Sequence, residues 1–511
     1  MQAEMDRSAL NGVLPPGLVQ LLPACSPVCA TLVWTMKRLI LLFLAGTSLA
    51  LARQTAQQLP APPLSTPPDG FSAPSGYGDS IYPLLGDAGL DVTHYDLSLR
   101  SDPRQDAISG RAVLSITALR ELNQISLDFA GPKVLGVKLG GRAAQHAQVG
   151  EKLLILPPTP VVAGTAFTLT VAYSGTPALQ YDSSTGGGLR LGWITQAGGS
   201  YVLSEPDGAH TFFPCNDVPA DGASFSLHLD VPAGYTTVAS GVQTRQVTAA
   251  GRTRTDFELA QPIPTYALTV HVGRLKLETQ AGPAGIQIRN AFPVDLPDDV
   301  KATFAQTPAM IGFLAEWFGP YPYPVYGVAV SADPQIPALE TATLSTFPAR
   351  PEQPTTALHE LAHQWFGNSL RLGDWSDIWL NEGFATYAEL LWAQSQGQSA
   401  APLLERWYAR LARVPARGLP ATQSLQLFDS SSYFRGALAL HALRLNVGDG
   451  RFRRILADYV GRFAGRSVRT ADFLGVAQQI GGQTALDAMR PWLVGPQLPP
   501  FPKGFFTQAV R

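Results

Sequence analysis

Ala357-Leu358-His359-Glu360-Leu361-Ala362-His363-Gln364-Trp365-Phe366-Gly367 decides how the rest of this 511-residue chain is read. It contains H-E-x-x-H within text that reads as helix. Positions i and i+4 of a helix lie one above the other on the same face. His359 and His363 can therefore offer two imidazole nitrogens to one zinc ion. Glu360, beside the first of them, can take a proton from water activated at the metal. Eighteen residues separate His363 from Glu382, which stands in Trp379-Leu380-Asn381-Glu382-Gly383-Phe384-Ala385. Glu382, on a second helix, is the expected third ligand. Three protein ligands leave the fourth position open, as catalytic zinc requires and structural zinc does not. The competing reading is a helix with two half-buried or surface histidines. The chain holds only 8 histidines, so a chance H-E-x-x-H with a spaced N-E-G is rare.

The composition fits an enzyme-sized globular chain. Hydrophobic residues make 45% and charged residues 15%, and the length allows two or three domains with their own cores. A formal net charge of -2 gives no electrostatic case for nucleic acid or for an acidic membrane. The 48 glycines and 43 prolines point to many turns.

Short alternating segments begin at His94-Tyr95-Asp96-Leu97-Ser98-Leu99 and recur at 112–116, 167–171 and 225–229, with Gly, Pro and Asp between them. This pattern predicts an antiparallel β domain over residues 82–275. Helical spacing starts at Val300–Phe318, followed by the Pro-rich breaker 319–324. After the zinc motif, helices are expected over 376–397, 401–412, 434–446 and 450–463. The fold class is α+β: an N-terminal antiparallel β-sandwich or saddle, then a catalytic domain over 276–470 and a short helical tail over 471–511.

The N-terminal region reads differently. Met36-Lys37-Arg38, the apolar run 39–45 and the Ala50-Leu51-Ala52 end form a secretory signal peptide over 36–52, with cleavage before Arg53. The apolar run is too short to span a bilayer. Residues 1–35 lack targeting logic and are taken as an extension upstream of a true start at Met36. Residues 53–81, rich in Pro, Ser, Gln and Gly, read as a disordered linker. The expected location is secreted or periplasmic, with no membrane contact beyond the cleaved signal. Cys25 and Cys29 fall in the doubtful extension, which leaves Cys215 without an internal disulfide partner.

H-E-L-A-H-Q-W-F-G, eighteen residues, then W-L-N-E-G-F-A-T-Y resembles the gluzincin aminopeptidases of the M1 family, in a short form without their large C-terminal helical domain. The likeness runs from about Tyr82 to about Leu493. It implies a saddle-like β domain leaning on a thermolysin-like catalytic domain, one zinc ion per chain and peptide substrates. It also implies roles for further residues. Tyr433, in Ser432-Tyr433-Phe434-Arg435-Gly436-Ala437, matches the family's Y-x-K-G-A tyrosine that stabilises the oxyanion, with Arg435 in place of Lys. Glu340, in Pro337-Ala338-Leu339-Glu340-Thr341, matches the glutamate of the G-A-M-E-N loop that binds the substrate's α-ammonium, though only Ala and Glu persist there. Glu205, before Pro206 and upstream of Phe213-Pro214-Cys215-Asn216-Asp217, matches a second amine-binding acid, with Leu203 at the usual Gln position. Asn381 is expected to orient the ligand beside it. The 213–217 turn is expected to pack the β domain onto the catalytic one, with Cys215 a buried small hydrophobe. The remaining histidines (94, 146, 210, 228, 271 and 441) lack ligand spacing and read as polar residues of strands or helices.

These residues predict a zinc aminopeptidase. A leukotriene A4 hydrolase-like epoxide hydrolase shares the zinc motif. A zinc endopeptidase would not need Glu205 and Glu340. A catalytically dead peptide-binding homologue is disfavoured by the intact Glu360. The oligomeric state is not encoded in any of these motifs.

Overall fold

The computed structural model describes residues 66–500, Ala197 excepted. The expected extension, the signal peptide and the first part of the linker lie outside the described residues. The remainder of the expected linker is not disordered. Asp79 is buried and its carboxylate accepts from the backbone N–H of Trp375 at 2.8 Å. Asp374 in turn accepts from the N–H and hydroxyl of Ser80 at 3.0 and 2.9 Å. Composition alone does not reveal this reciprocal capping, which ties residues 79–82 to the segment just before the third-ligand helix.

The first half is β-rich, as the alternation predicts. An eight-stranded sheet runs in the order 242–249, 252–263, 223–232, 90–101, 108–118, 166–175, 133–139, 142–143. Side chains of a strand point to alternate faces. Strand Ala223–Pro232 shows this as a strict alternation of buried and half-buried residues. Leu97 pairs with Ala112 on one side and Leu227 on the other, and Ala112 pairs with Val171, so one face is a continuous apolar layer. One junction is parallel, Leu90–Ser101 with Ala223–Pro232; the rest of this sheet is antiparallel. A parallel pair needs a long connection, and the chain between these two strands builds a three-stranded sheet (125–128, 152–156, 145–149) and three strands (180–181, 190–196, 199–203) of a five-stranded sheet that 236–239 and 270–273 complete.

The 213–217 turn knots the β domain to itself. Asp217 accepts from the His210 ring at 2.7 Å and from the Thr265 hydroxyl at 2.6 Å, and Asn216 donates to Asp221 at 2.6 Å. Cys215 is fully buried and bridges to Asp128, and burial pushes its thiol pKa up. His210, read as an ordinary polar residue, is a buried ion-pair partner instead.

The second half begins with a small mixed sheet, 275–281, 287–293, 328–330 and 345–347. Its helices are α1 (Asp298–Ala302), α2 (Thr307–Phe318), α3 (Pro354–Ala362), α4 (Trp379–Ser395), α5 (Ala401–Leu411), α6 (Gly436–Val447), α7 (Asp449–Phe463), α8 (Thr470–Gly481) and α9 (Gln483–Leu493). An aromatic layer joins them. Phe384 of α4 packs on Phe366 with ring centroids 4.4 Å apart and on Phe473 of α8 at 5.0 Å. Such pairs add about 0.5–1.5 kcal/mol each beyond area burial. α8 and α9 therefore belong to the catalytic unit and are not an appended tail. None of the described helices is long and apolar enough to cross a membrane.

Candidate active site

α3 starts with Pro354 at its first position, where the missing N–H is no loss. It ends earlier than the sequence suggests, at Ala362. His363 is the cap, but its φ −61 and ψ −18 are still helical, so His359 and His363 keep the i, i+4 relation. The carboxylate of Glu382, in the first turn of α4, meets both. Its Oε2 lies 3.2 Å from His359 Nε2 and 3.6 Å from His363 Nε2. Four ligands at zinc–nitrogen and zinc–oxygen lengths of ~2.1 Å stand ~3.4 Å apart in a tetrahedron, so the three atoms fit one zinc ion. They form the group among the described residues suited to hold a metal.

Each imidazole is aimed by its other nitrogen. His359 Nδ1 bonds Glu389 Oε1 at 2.8 Å, and His363 Nδ1 bonds the Phe366 carbonyl at 3.0 Å. These partners hold the proton on Nδ1 and leave Nε2 free for the metal. Glu389 escaped the sequence reading. Its only signal is its place on α4, two helical turns after Glu382. Asn381, expected to orient a ligand, donates to the Tyr266 hydroxyl at 3.3 Å.

Four glutamates crowd this centre. Burial, then Glu340, Glu382 and Glu360, push the Glu205 carboxyl far above the ordinary range. Burial also raises Glu340, despite the opposing pull of His363. Glu360 rises to about 7, again mainly by burial, with the two histidines pulling the other way. Glu382 moves oppositely: burial alone would raise it, but His363 and His359 bring it down to about 2. Glu205 and Glu340 are buried, and each keeps one carboxylate oxygen without a hydrogen-bond partner among the described residues.

The backbone of Glu340 is fixed by residues following the zinc motif. Its carbonyl accepts from Gln364 Nε2 at 3.0 Å and from Asn368 Nδ2 at 2.7 Å. Its edge position comes from a bridge between Leu339 and Thr346.

Tyr433 sits on a wide helical turn, Ser431–Arg435, that runs into α6, and its ring stacks on His359 at 5.9 Å. Burial, then Glu382 and Glu205, raise its phenol well above the usual range, so it stays protonated. Two features place it. Arg435, buried, donates to the carbonyls of Trp492 at 2.6 Å and Pro491 at 3.1 Å at the end of α9. Gly436 meets Gly383 of α4 backbone to backbone: a β-carbon on Gly383 would lie 2.8 Å from Gly436 Cα, and one on Gly436 2.9 Å from Gly383 Cα. The structure thus brings together His359, His363, Glu382, Glu360, Tyr433, Glu205 and Glu340.

A two-histidine, one-glutamate metal site with a neighbouring carboxylate base, on a β-rich half joined to a helical half, defines the class of zinc metallopeptidases. The family models for the Peptidase M1 N-terminal domain and the Peptidase family M1 domain match residues 92–267 and 303–492. An M1 zinc metallopeptidase from Deinococcus radiodurans is 44% identical with TM-score 0.79, the match covering 83% of this chain and 99% of that one. The chain belongs to peptidase family M1, and its implied cofactor is zinc. A mutant of the Deinococcus enzyme has been solved bound to a Tyr-Ser-Ala substrate, matching at 43% identity and TM-score 0.80. Among curated proteins, rice Aminopeptidase M1-C is 27% identical over 311 residues, 56% of this chain; the chain spans only about a third, 35%, of that protein. Yeast LTA4 hydrolase shares the fold at TM-score 0.70 and 22% identity, over 85% of this chain and 72% of that one.

Proposed function

We propose that the protein is a zinc aminopeptidase that removes residues from the free N-termini of peptides. One observation carries the reading. Glu205 and Glu340 lie buried beside the metal site, each with an unpartnered oxygen. Buried carboxylates without a counter-charge are costly, and a substrate α-ammonium supplies one. An endopeptidase has no use for such a pair. The tripeptide bound by the Deinococcus relative supports the same substrate class.

His359, His363 and Glu382 would hold the zinc ion, which when bound would supply Lewis acidity for the scissile carbonyl and for water. Glu205 and Glu340 orient the ammonium by charge-assisted hydrogen bonds. Glu360, buried beside the ligands, accepts a proton from the attacking water and returns it to the leaving amine. Tyr433, kept neutral, donates a hydrogen bond to the developing oxyanion.

The test compares a peptide with its N-acetylated form. Acetylation removes the charge that Glu205 and Glu340 bind, so the blocked peptide should be nearly inert. A decapeptide should yield a ladder of N-terminal losses. Equal cleavage of the blocked peptide, or internal fragments appearing first, would point to an endopeptidase. We also propose export, on the strength of the 36–52 segment. N-terminal sequencing of the cell-envelope or secreted protein should read from Arg53, and recovery of intact Met1 would refute both the cleavage and the Met36 start.

A further inference from the structure

The wide turn that carries Tyr433, Ser431–Arg435, is gripped by an arginine at each end. At its start, Asp429 accepts from the Ser431 N–H at 2.8 Å. Arg417 meets Asp429 with two parallel bonds, Nε to Oδ2 at 2.8 Å and Nη2 to Oδ1 at 2.7 Å. The same Nη2 donates to the hydroxyl of Ser432, next to Tyr433, at 2.9 Å. Nη1 takes the carbonyls of Gly418 and Leu419 at 2.8 and 2.9 Å. At the turn's end, Arg435 reaches beyond the two carbonyls of α9. Its Nη1 donates to the carbonyl of Arg417 itself, and its Nη2 to those of Gly495 and, at 3.2 Å, Gln497. The strap that follows α9 is held again by Tyr408 of α5, whose hydroxyl donates to the Pro499 carbonyl at 3.1 Å. Leu498 is half-buried against the core.

We infer that Arg417, Arg435 and the strap 495–499 form one clamp that positions Tyr433; the inference rests on the reading of Tyr433 as the oxyanion donor. A turn of this width is rare in a helix and recurs at functional sites. Here the bonds that fix it come from outside the helix. Arg435 sits at the C-terminal end of α9, whose last carbonyls lack partners within the helix and carry the negative end of its dipole. Five carbonyls on three segments, 417, 491–492 and 495–497, share its planar fork. An ammonium offers three donors from one point and cannot span them.

Arg417 plays the matching part on the other side, through Asp429 and Ser432. Because Arg435 bonds the main chain of Arg417, loosening the strap loosens both ends of the turn. Both arginines act on the phenol through the turn, and the turn sets where the Tyr433 ring stands over His359. They are positioning residues, and the strap is the third member of the clamp.

Kinetics of the zinc-loaded full chain, on a peptide it cleaves, test the clamp with Arg417→Lys, which keeps the charge and loses the fork, and Leu498→Asp, which frees the strap. Each should lower kcat by about tenfold to a hundredfold, the cost of a small misplacement at a reacting centre. Zinc stoichiometry should be unchanged, and KM should move by less than about twofold. In a Tyr433→Phe background each should cost less than about threefold, because the phenol it positions is gone. An equal loss in both backgrounds would mark general weakening and overturn the clamp. Fluorine NMR of full-length protein with 3-fluorotyrosine in place of Tyr433 reads the ring without turnover. The parent should give one narrow resonance, and either substitution should broaden or divide it. An unchanged resonance in both variants would overturn the clamp whatever reaction the protein performs. A changed resonance beside parental turnover in Tyr433→Phe would uphold the clamp and remove the oxyanion role. One variant that folds suffices for each readout, since the two act on different ends of the same network.

Discussion

Glu389 offers a sharp test of how the metal is held. Its carboxylate meets His359 Nδ1 at 2.8 Å, with the Glu389 side chain 24% and the His359 side chain 12% exposed. A charge-assisted hydrogen bond contributes about 1.5–3 kcal/mol. Partial exposure of Glu389 screens it toward the lower end, about 1.5 kcal/mol, or roughly tenfold in an equilibrium. Glu389→Gln keeps an acceptor for Nδ1–H and loses only the charge, so zinc affinity should fall by about threefold to tenfold. Glu389→Ala leaves the ring free to turn and should cost tenfold to a hundredfold, roughly. The assay is competition for zinc against a chromophoric chelator at fixed pH, with peptide turnover measured at saturating zinc. Loss of affinity with turnover largely restored by excess zinc marks a ligand-orienting residue. Wild-type affinity and turnover in Glu389→Ala would refute the reasoning, because the imidazole would then need no outer partner.

Other outcomes follow from the same geometry. Glu360→Gln should bind zinc stoichiometrically yet lose nearly all turnover, and Tyr433→Phe should lower kcat far more than it raises KM; wild-type turnover in either would move the role elsewhere. Burial alone would lower the His210 pKa, but Asp217, then Asp128 and Glu151, lift it to about 9. The stabilisation from protonated His210 is therefore complete below the unfolded value of ~6.5 and is lost as pH rises through 9, an effect of about 3 kcal/mol. In urea titrations the stability gap between wild type and His210→Gln should shrink by about that amount from pH ~6 to pH ~10; a constant gap would show that the imidazole is neutral in the fold.

What the sequence disclosed, and what it hid, follows from the range of the forces involved. Strand alternation and the spacing of His359, His363 and Glu382 are local or nearly so, and both are readable along the chain. The parallel junction of Leu90–Ser101 with Ala223–Pro232 is not, because each strand alternates identically whichever neighbour it takes. Glu389 looks like any charge on a helix surface until His359 is placed opposite it. The Pro-rich segment reads as linker because composition cannot show that Asp79 caps Trp375. Asn381, next to Glu382 along the chain, stands about 100° around α4 from it, and its partner Tyr266 comes from the β-rich half, a pairing no local pattern encodes. Glu205 and Glu340 came from resemblance, and their crowding with Glu360 and Glu382 emerges only in three dimensions.

The glycine crossing of α4 and α6 has a consequence for variation around the site. With a β-carbon excluded at both Gly383 and Gly436, the separation of Glu382 from Tyr433 is set by main chain against main chain. The aromatic layer beneath, Phe366, Phe384 and Phe473, can then be exchanged for other bulky residues and cost stability without shifting the phenol relative to the metal carboxylate. Stability and catalytic alignment are thereby governed by separate residues, one set free to drift and the other a pair that can change only if the two helices cross anew.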